Sequence, residues 1–87
     1  MYVIAVYDVE EKRVAKMLKL FRQYLNWIQN SVFEGELTEA QLLKLENSIK
    51  KIIDSETDSV IIFKFRDQKW ADKKIIGKEK NSTSNFL

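Results

Sequence analysis

Six consecutive apolar residues, Tyr2-Val3-Ile4-Ala5-Val6-Tyr7, stand at the start of this 87-residue chain. A strand that is apolar at every position has no face to give to water. It belongs at the centre of a sheet, flanked by other strands and covered on both sides. The rest of the chain must supply those neighbours and at least one covering layer. A second run of the same kind, Val60-Ile61-Ile62-Phe63-Lys64-Phe65, lies far along the sequence. Both runs fall well short of the ~20 residues a membrane span needs, so no membrane partner is expected.

Between the two runs the hydrophobic period changes. Val14, Met17, Leu18, Phe21, Tyr24 and Leu25 fall on one stripe of a helix, with Lys12, Lys16, Lys19 and Gln23 opposite. Arg13 borders that stripe in the first turn, at the same end as Asp8. Residues 27–37 read as extended. The alternation breaks near Asn30-Ser31, where a bulge or a short two-strand arrangement is expected. Thr38 and Gln41 have the spacing of a capping box, and Leu42, Leu45, Ile49 and Ile52 then mark a second amphipathic helix. Residues 54–59 read as a polar turn, and 74–77 as a short extra strand.

The order strand, helix, one or two strands, helix, strand is the split pattern of an α+β, ferredoxin-like (βαββαβ) domain with an extra short C-terminal strand. The domain is expected over residues 1–78, with 79–87 a polar, disordered tail. Two helices cover only one face of such a sheet. In a chain this short the natural cover for the other face is a second copy, so a homodimer is expected. The last strand, on an edge, is expected to pair with the 74–77 segment of the other subunit.

Composition narrows the chemistry. There is no Cys, His or Pro, and Gly occurs only at 35 and 77. Thiol nucleophiles, imidazole bases, Cys- or His-ligated metal sites and glycine-rich phosphate loops are therefore excluded. Catalysis is left to carboxylates, Lys, Arg, Tyr, hydroxyls, or a hard metal ion held by oxygen. The net charge of +2 conceals segregation: residues 11–24 carry +4, 64–80 carry +4 and 34–58 carry −4. This is either an ordinary solvated surface or one basic face suited to a polyanion such as nucleic acid. The first residues show no basic stretch of a secretory signal, and a cytoplasmic location is expected.

Several blocks carry a more specific message. Tyr7-Asp8 ends the first strand, and Arg13-Val14-Ala15-Lys16 and Leu18-Lys19 follow on the helix. Then come Gln29-Asn30-Ser31-Val32-Phe33-Glu34-Gly35, Leu37-Thr38 and Ile76-Gly77. In these residues the chain resembles the small CRISPR-associated endoribonuclease family, the smaller of the two CRISPR adaptation subunits. The resemblance implies a ferredoxin-like homodimer in which the first-strand aspartates of the two subunits, Asp8 here, face each other and bind one Mg2+. It implies a metal-dependent nuclease acting on single-stranded RNA or duplex DNA. It also implies a DNA-binding scaffold that works with a larger integrase subunit in spacer acquisition. A stand-alone toxin-type ribonuclease of a related ferredoxin-like family is the alternative.

The candidate site residues are Asp8 as metal ligand and Tyr7, Asp8, Arg13, Ser31 and Phe33 as catalytic residues. Lys12, Arg13, Lys16 and Lys19 are the candidate nucleic-acid contacts. Each has a plain structural alternative. Asp8 can cap the first helix. Tyr7 and Phe33 can pack the core instead of stacking on a base. Ser31 can bond backbone at a bulge, and the lysines can be a solvated helix face. Magnesium needs few protein ligands, so two carboxylates across a dyad make a workable site where one does not. Arg13 can contact a phosphate.

Overall fold

The computed structural model describes residues 1–81. Its elements are β1 (Tyr2–Asp8), α1 (Glu11–Arg22), β2 (Asn26–Gln29), β3 (Val32–Glu36), α2 (Glu39–Ile52) and β4 (Ser59–Phe65), followed by a short 3₁₀ turn at Gln68–Trp70. The four strands form one sheet in the order β2-β3-β1-β4. This is the α+β ferredoxin-like architecture expected from the sequence.

β1 is central, as its composition demands. It pairs antiparallel with β3 from Tyr2↔Glu36 to Val6↔Val32, and with β4 from Tyr2↔Phe65 to Asp8↔Ser59. Its alternate residues Val3, Ala5 and Tyr7 join the core beneath the helices. Met17, Leu20 and Phe21 of α1 and Leu42, Leu45 and Ile49 of α2 meet them there. Phe21 and Phe33 are wholly buried, and Tyr7 packs edge-on against Phe21 at 5.0 Å and along Phe33 at 6.0 Å.

The anticipated irregularity after the first helix is a hairpin. β2 and β3 turn through Asn30, whose φ of 46° lies in the left-handed region that Asn tolerates. A register shift falls between Trp27 and Gln29. Gly35 on β3 sits at a close approach: a Cβ there would meet Leu25 Cδ2 at 3.2 Å, and that side chain would have to give by a few tenths of an ångström. The capping box forms as expected: Thr38 N donates to Gln41 Oε1 at 2.9 Å and Gln41 N to Thr38 Oγ1 at 3.1 Å.

Two expectations need correction. α1 ends at Arg22, and its buried stripe is Met17, Leu20 and Phe21, so Val14 faces outward at 41% exposure. Leu25 is buried from the connector instead, where its N–H still reaches Phe21 O at 2.8 Å. Residues 74–77 form no strand within the single chain, and their expected partner is the edge strand of a second copy. Instead the segment crosses the sheet face opposite the helices, where Ile75 and Ile76 border a hollow with Ile4, Ile28 and Val32. Lys73 forms an ion pair with Glu34 there, and Asn81 donates to Trp27 O. The tail expected over 79–87 falls mostly outside the described residues.

Candidate active site

Asp8 closes β1. It is not the helix cap: that position belongs to Glu10, which makes no side-chain capping bond. The Asp8 side chain is exposed and has no hydrogen-bond or ion-pair partner among the described residues. It borders a surface hollow of about 270 Å³ shared with Tyr7, Val9, Val14, Asn30 and Ser31. Strand alternation puts Asp8 on the same sheet face as Ile4 and Val6 of β1 and their partners Phe63 and Ile61 of β4. Ile61 is 52% and Phe63 50% exposed, so among the described residues the β4 side of this apolar face is left half open.

The other candidates divide. Ser31 comes to the hollow through the β2–β3 turn, and its carbonyl accepts from Tyr7 N at 3.2 Å. Tyr7 touches the hollow but is 5% exposed, and burial pushes its hydroxyl above the ordinary pKa of a tyrosine, with Arg22 opposing. Tyr7 is therefore a poor general base and mainly a wall of the core. Phe33 is wholly buried between Tyr7 and Phe21 and offers no surface on which a base can stack. Its place in the sequence block reflects packing.

Arg13 is held by the protein itself. Its Nε donates to Asp58 Oδ2 at 2.5 Å, and Nη2 reaches Asp58 Oδ1 at 3.1 Å, Glu10 Oε1 at 2.8 Å and Thr57 Oγ1 at 3.2 Å. Asp58 is the residue that sequence reasoning missed. Within a polar turn it looks like any solvated acid, and its partner lies 45 residues away. Lys12, Lys16 and Lys19 are exposed along α1, and none pairs with an acid among the described residues. Lys12 starts this row in the turn that follows the Asp8 corner.

The donors near Asp8 are all oxygen or amide groups, which suits a hard cation. Among the described residues there is no cluster of three or more acidic, His or Cys side chains. Asp8 is the one carboxylate among the residues that line its hollow, and no helix of the described residues is long and apolar enough to cross a membrane.

Comparisons with known proteins place the chain in a family. The family model described as "CRISPR associated protein Cas2" matches residues 1–73. A protein of Dictyoglomus turgidum named "CRISPR-associated endoribonuclease Cas2" is 49% identical over the full length of both chains. One of the same name from Pyrococcus furiosus is also 49% identical over the full length of both. Among solved structures, one titled "Crystal structure of cas2" superimposes with a TM-score of 0.86 at 48% identity, covering 93% of this chain and 91% of the other. The Cas2 of Streptococcus pyogenes gives 0.72 at 31% identity, covering 84% and 98%. The chain belongs to the CRISPR-associated Cas2 family.

Proposed function

We propose that this chain acts as a homodimeric, Mg2+-dependent endonuclease on the phosphodiesters of RNA or DNA, at a site made by Asp8 from each of two subunits. The observation that carries the reading is the Asp8 side chain: exposed, without a partner among the described residues, and on the same face as the half-exposed Ile61 and Phe63. A second copy seated on that face brings a second Asp8 towards the first. Two carboxylates and the solvent suffice for a magnesium ion, which keeps several waters. When bound, the ion supplies positive charge against the phosphoryl oxygens and gives a His-free chain access to hydrolysis. The chain's own part is to hold the carboxylates at the ends of two central strands and to wall the hollow with Ser31, Val14 and Tyr7. Lys12 adds positive charge beside the scissile backbone, where developing charge needs it. The relatives' printed name, an endoribonuclease, supports the reaction class. The family match over residues 1–73 weighs against a stand-alone toxin-type ribonuclease.

A second role is carried by a different observation, the exposed row Lys12, Lys16 and Lys19, which has no acidic partner among the described residues. It fits a phosphate-contacting face, and hence a nucleic-acid scaffold for a larger integrase subunit in spacer acquisition. The test of the enzymatic reading is cleavage of single-stranded RNA and of duplex DNA with Mg2+, with EDTA, and with Asp8→Asn. Cleavage should require Mg2+ and vanish in the folded variant. Undiminished cleavage by a repurified Asp8→Asn protein would place the chemistry elsewhere.

A further inference from the structure

We propose that Asp58 is a positioning residue for the Asp8 site: its buried carboxylate clamps the corner between β1 and α1 and thereby fixes where the Asp8 carboxylate stands. The inference rests on the Asp8 reading given above. Among the described residues Asp58 is the one charged residue in the buried class, and its side chain is wholly inaccessible. A carboxylate taken out of water is costly unless donors replace the lost hydration. Here they do. Oδ1 accepts from Glu10 N at 2.9 Å and Arg13 Nη2 at 3.1 Å, with Thr57 Oγ1 at 3.3 Å beside it. Oδ2 accepts from Arg13 Nε at 2.5 Å and Asp54 N at 2.9 Å.

The placement of these donors ties the clamp to the site. Glu10 follows Asp8 by two residues, and its N–H is fixed by Asp58 where a local cap would ordinarily organise the helix start. Ser59, the residue after Asp58, is the strand partner of Asp8. The backbone leaving Asp8 and the backbone opposite it are therefore both anchored to one carboxylate. Thr57 Oγ1 and Arg13 Nη2 both donate to Glu10 Oε1 at 2.9 and 2.8 Å, which draws the same corner together from its exposed side. A ligand held by few protein atoms depends on supporting groups of this kind for its orientation.

The test measures Mn2+ binding by electron paramagnetic resonance on nucleic-acid-free protein, together with kcat and KM for cleavage with Mg2+. The proteins are wild type, Asp8→Asn, Asp58→Asn, Arg13→Lys and a core control, Leu42→Ala, at the far end of α2. Asp58→Asn and Arg13→Lys should each weaken Mn2+ binding about tenfold or more, and lower kcat with KM little changed. Leu42→Ala should lose thermal stability while keeping both at temperatures where it is folded. Hydrogen exchange on wild type should show a protected Glu10 amide, a readout that needs no variant to fold. Wild-type Mn2+ affinity and kcat in folded Asp58→Asn, or in Arg13→Lys where Asp58→Asn does not fold, would overturn the proposal. So would an equal loss in Leu42→Ala, or fast exchange at Glu10. If Asp8→Asn itself binds Mn2+ and cleaves like wild type, the Asp8 reading is what has failed.

Discussion

Asp8 and Asp58 occupy the same corner and have opposite chemistry. One is exposed and unpartnered among the described residues, the other buried among donors. That contrast was only half legible in sequence. Asp8 stands out because it ends an apolar strand. Asp58 does not, because the groups that define it come from residues far away in the chain. Arg13 was visible as a basic residue in the first helical turn, but its bond to Asp58 turns a candidate phosphate contact into a brace. The same pair makes acid sensitivity a residue-scale prediction. The Arg13 guanidinium, aided by the backbone N–H groups of Asp54 and Glu10, holds the Asp58 carboxyl well below the usual carboxylate range. Hydrogen bonds from Thr57 and Arg13 lower that of Glu10. A carboxyl whose folded pKa lies below its unfolded value of about 4 stabilises the fold above that value, and the contribution is lost as pH falls through the folded pKa. Thermal stability should therefore be nearly flat from pH 7 to about 5 and decline below about 4. Asp58→Asn should be less stable at pH 7 and show a shallower acid decline. Parallel melting profiles would show that Asp58 is not the group responsible.

At the scale of elements, signals that act within a few residues read correctly. The Thr38–Gln41 box, the second helix and the two apolar strands all stand where the pattern put them. Signals that depend on distant partners did not. The stripe of α1 is set by how the helix lies on the sheet, so Leu20 is buried and Val14 is not. Phe33 belongs to the same motif as Ser31, yet alternation along β3 sends it into the core. Thr38→Ala should destabilise the fold by about 1 kcal/mol, the usual worth of an N-cap, as read from denaturant unfolding. A loss near zero would mean the box is redundant. On α1 the free lysines lead to a binding prediction. Each phosphate neutralised contributes about −0.9 to the slope of log affinity against log salt. Lys16→Ala with Lys19→Ala should flatten that slope for duplex DNA of any sequence, measured by fluorescence anisotropy. An unchanged slope would move the binding face elsewhere.

The whole molecule poses the question of the uncovered sheet face. Helices protect one side of the sheet. On the other, the segment from Lys73 to Asn81 lies over the β2–β3 half, and Ile61 and Phe63 on β4 remain half exposed. An apolar edge strand left in water invites pairing. The sequence pointed to a second copy from this arithmetic of faces, and it also placed a strand at 74–77. Within the single chain that segment forms no strand, and its expected partner is the β4 edge of the second copy. The proposed active site depends on the same second copy, because one chain brings a single carboxylate, Asp8, to the lining of the hollow. The most direct test is to mix subunits. Wild-type and Asp8→Asn chains are unfolded together in equal amounts, refolded, and assayed for Mg2+-dependent cleavage. If both subunits must supply Asp8, only dimers with two wild-type chains cleave, and activity should fall to about one quarter of the all-wild-type value. Retention of about one half, the result for sites that work within single subunits, would contradict the shared site.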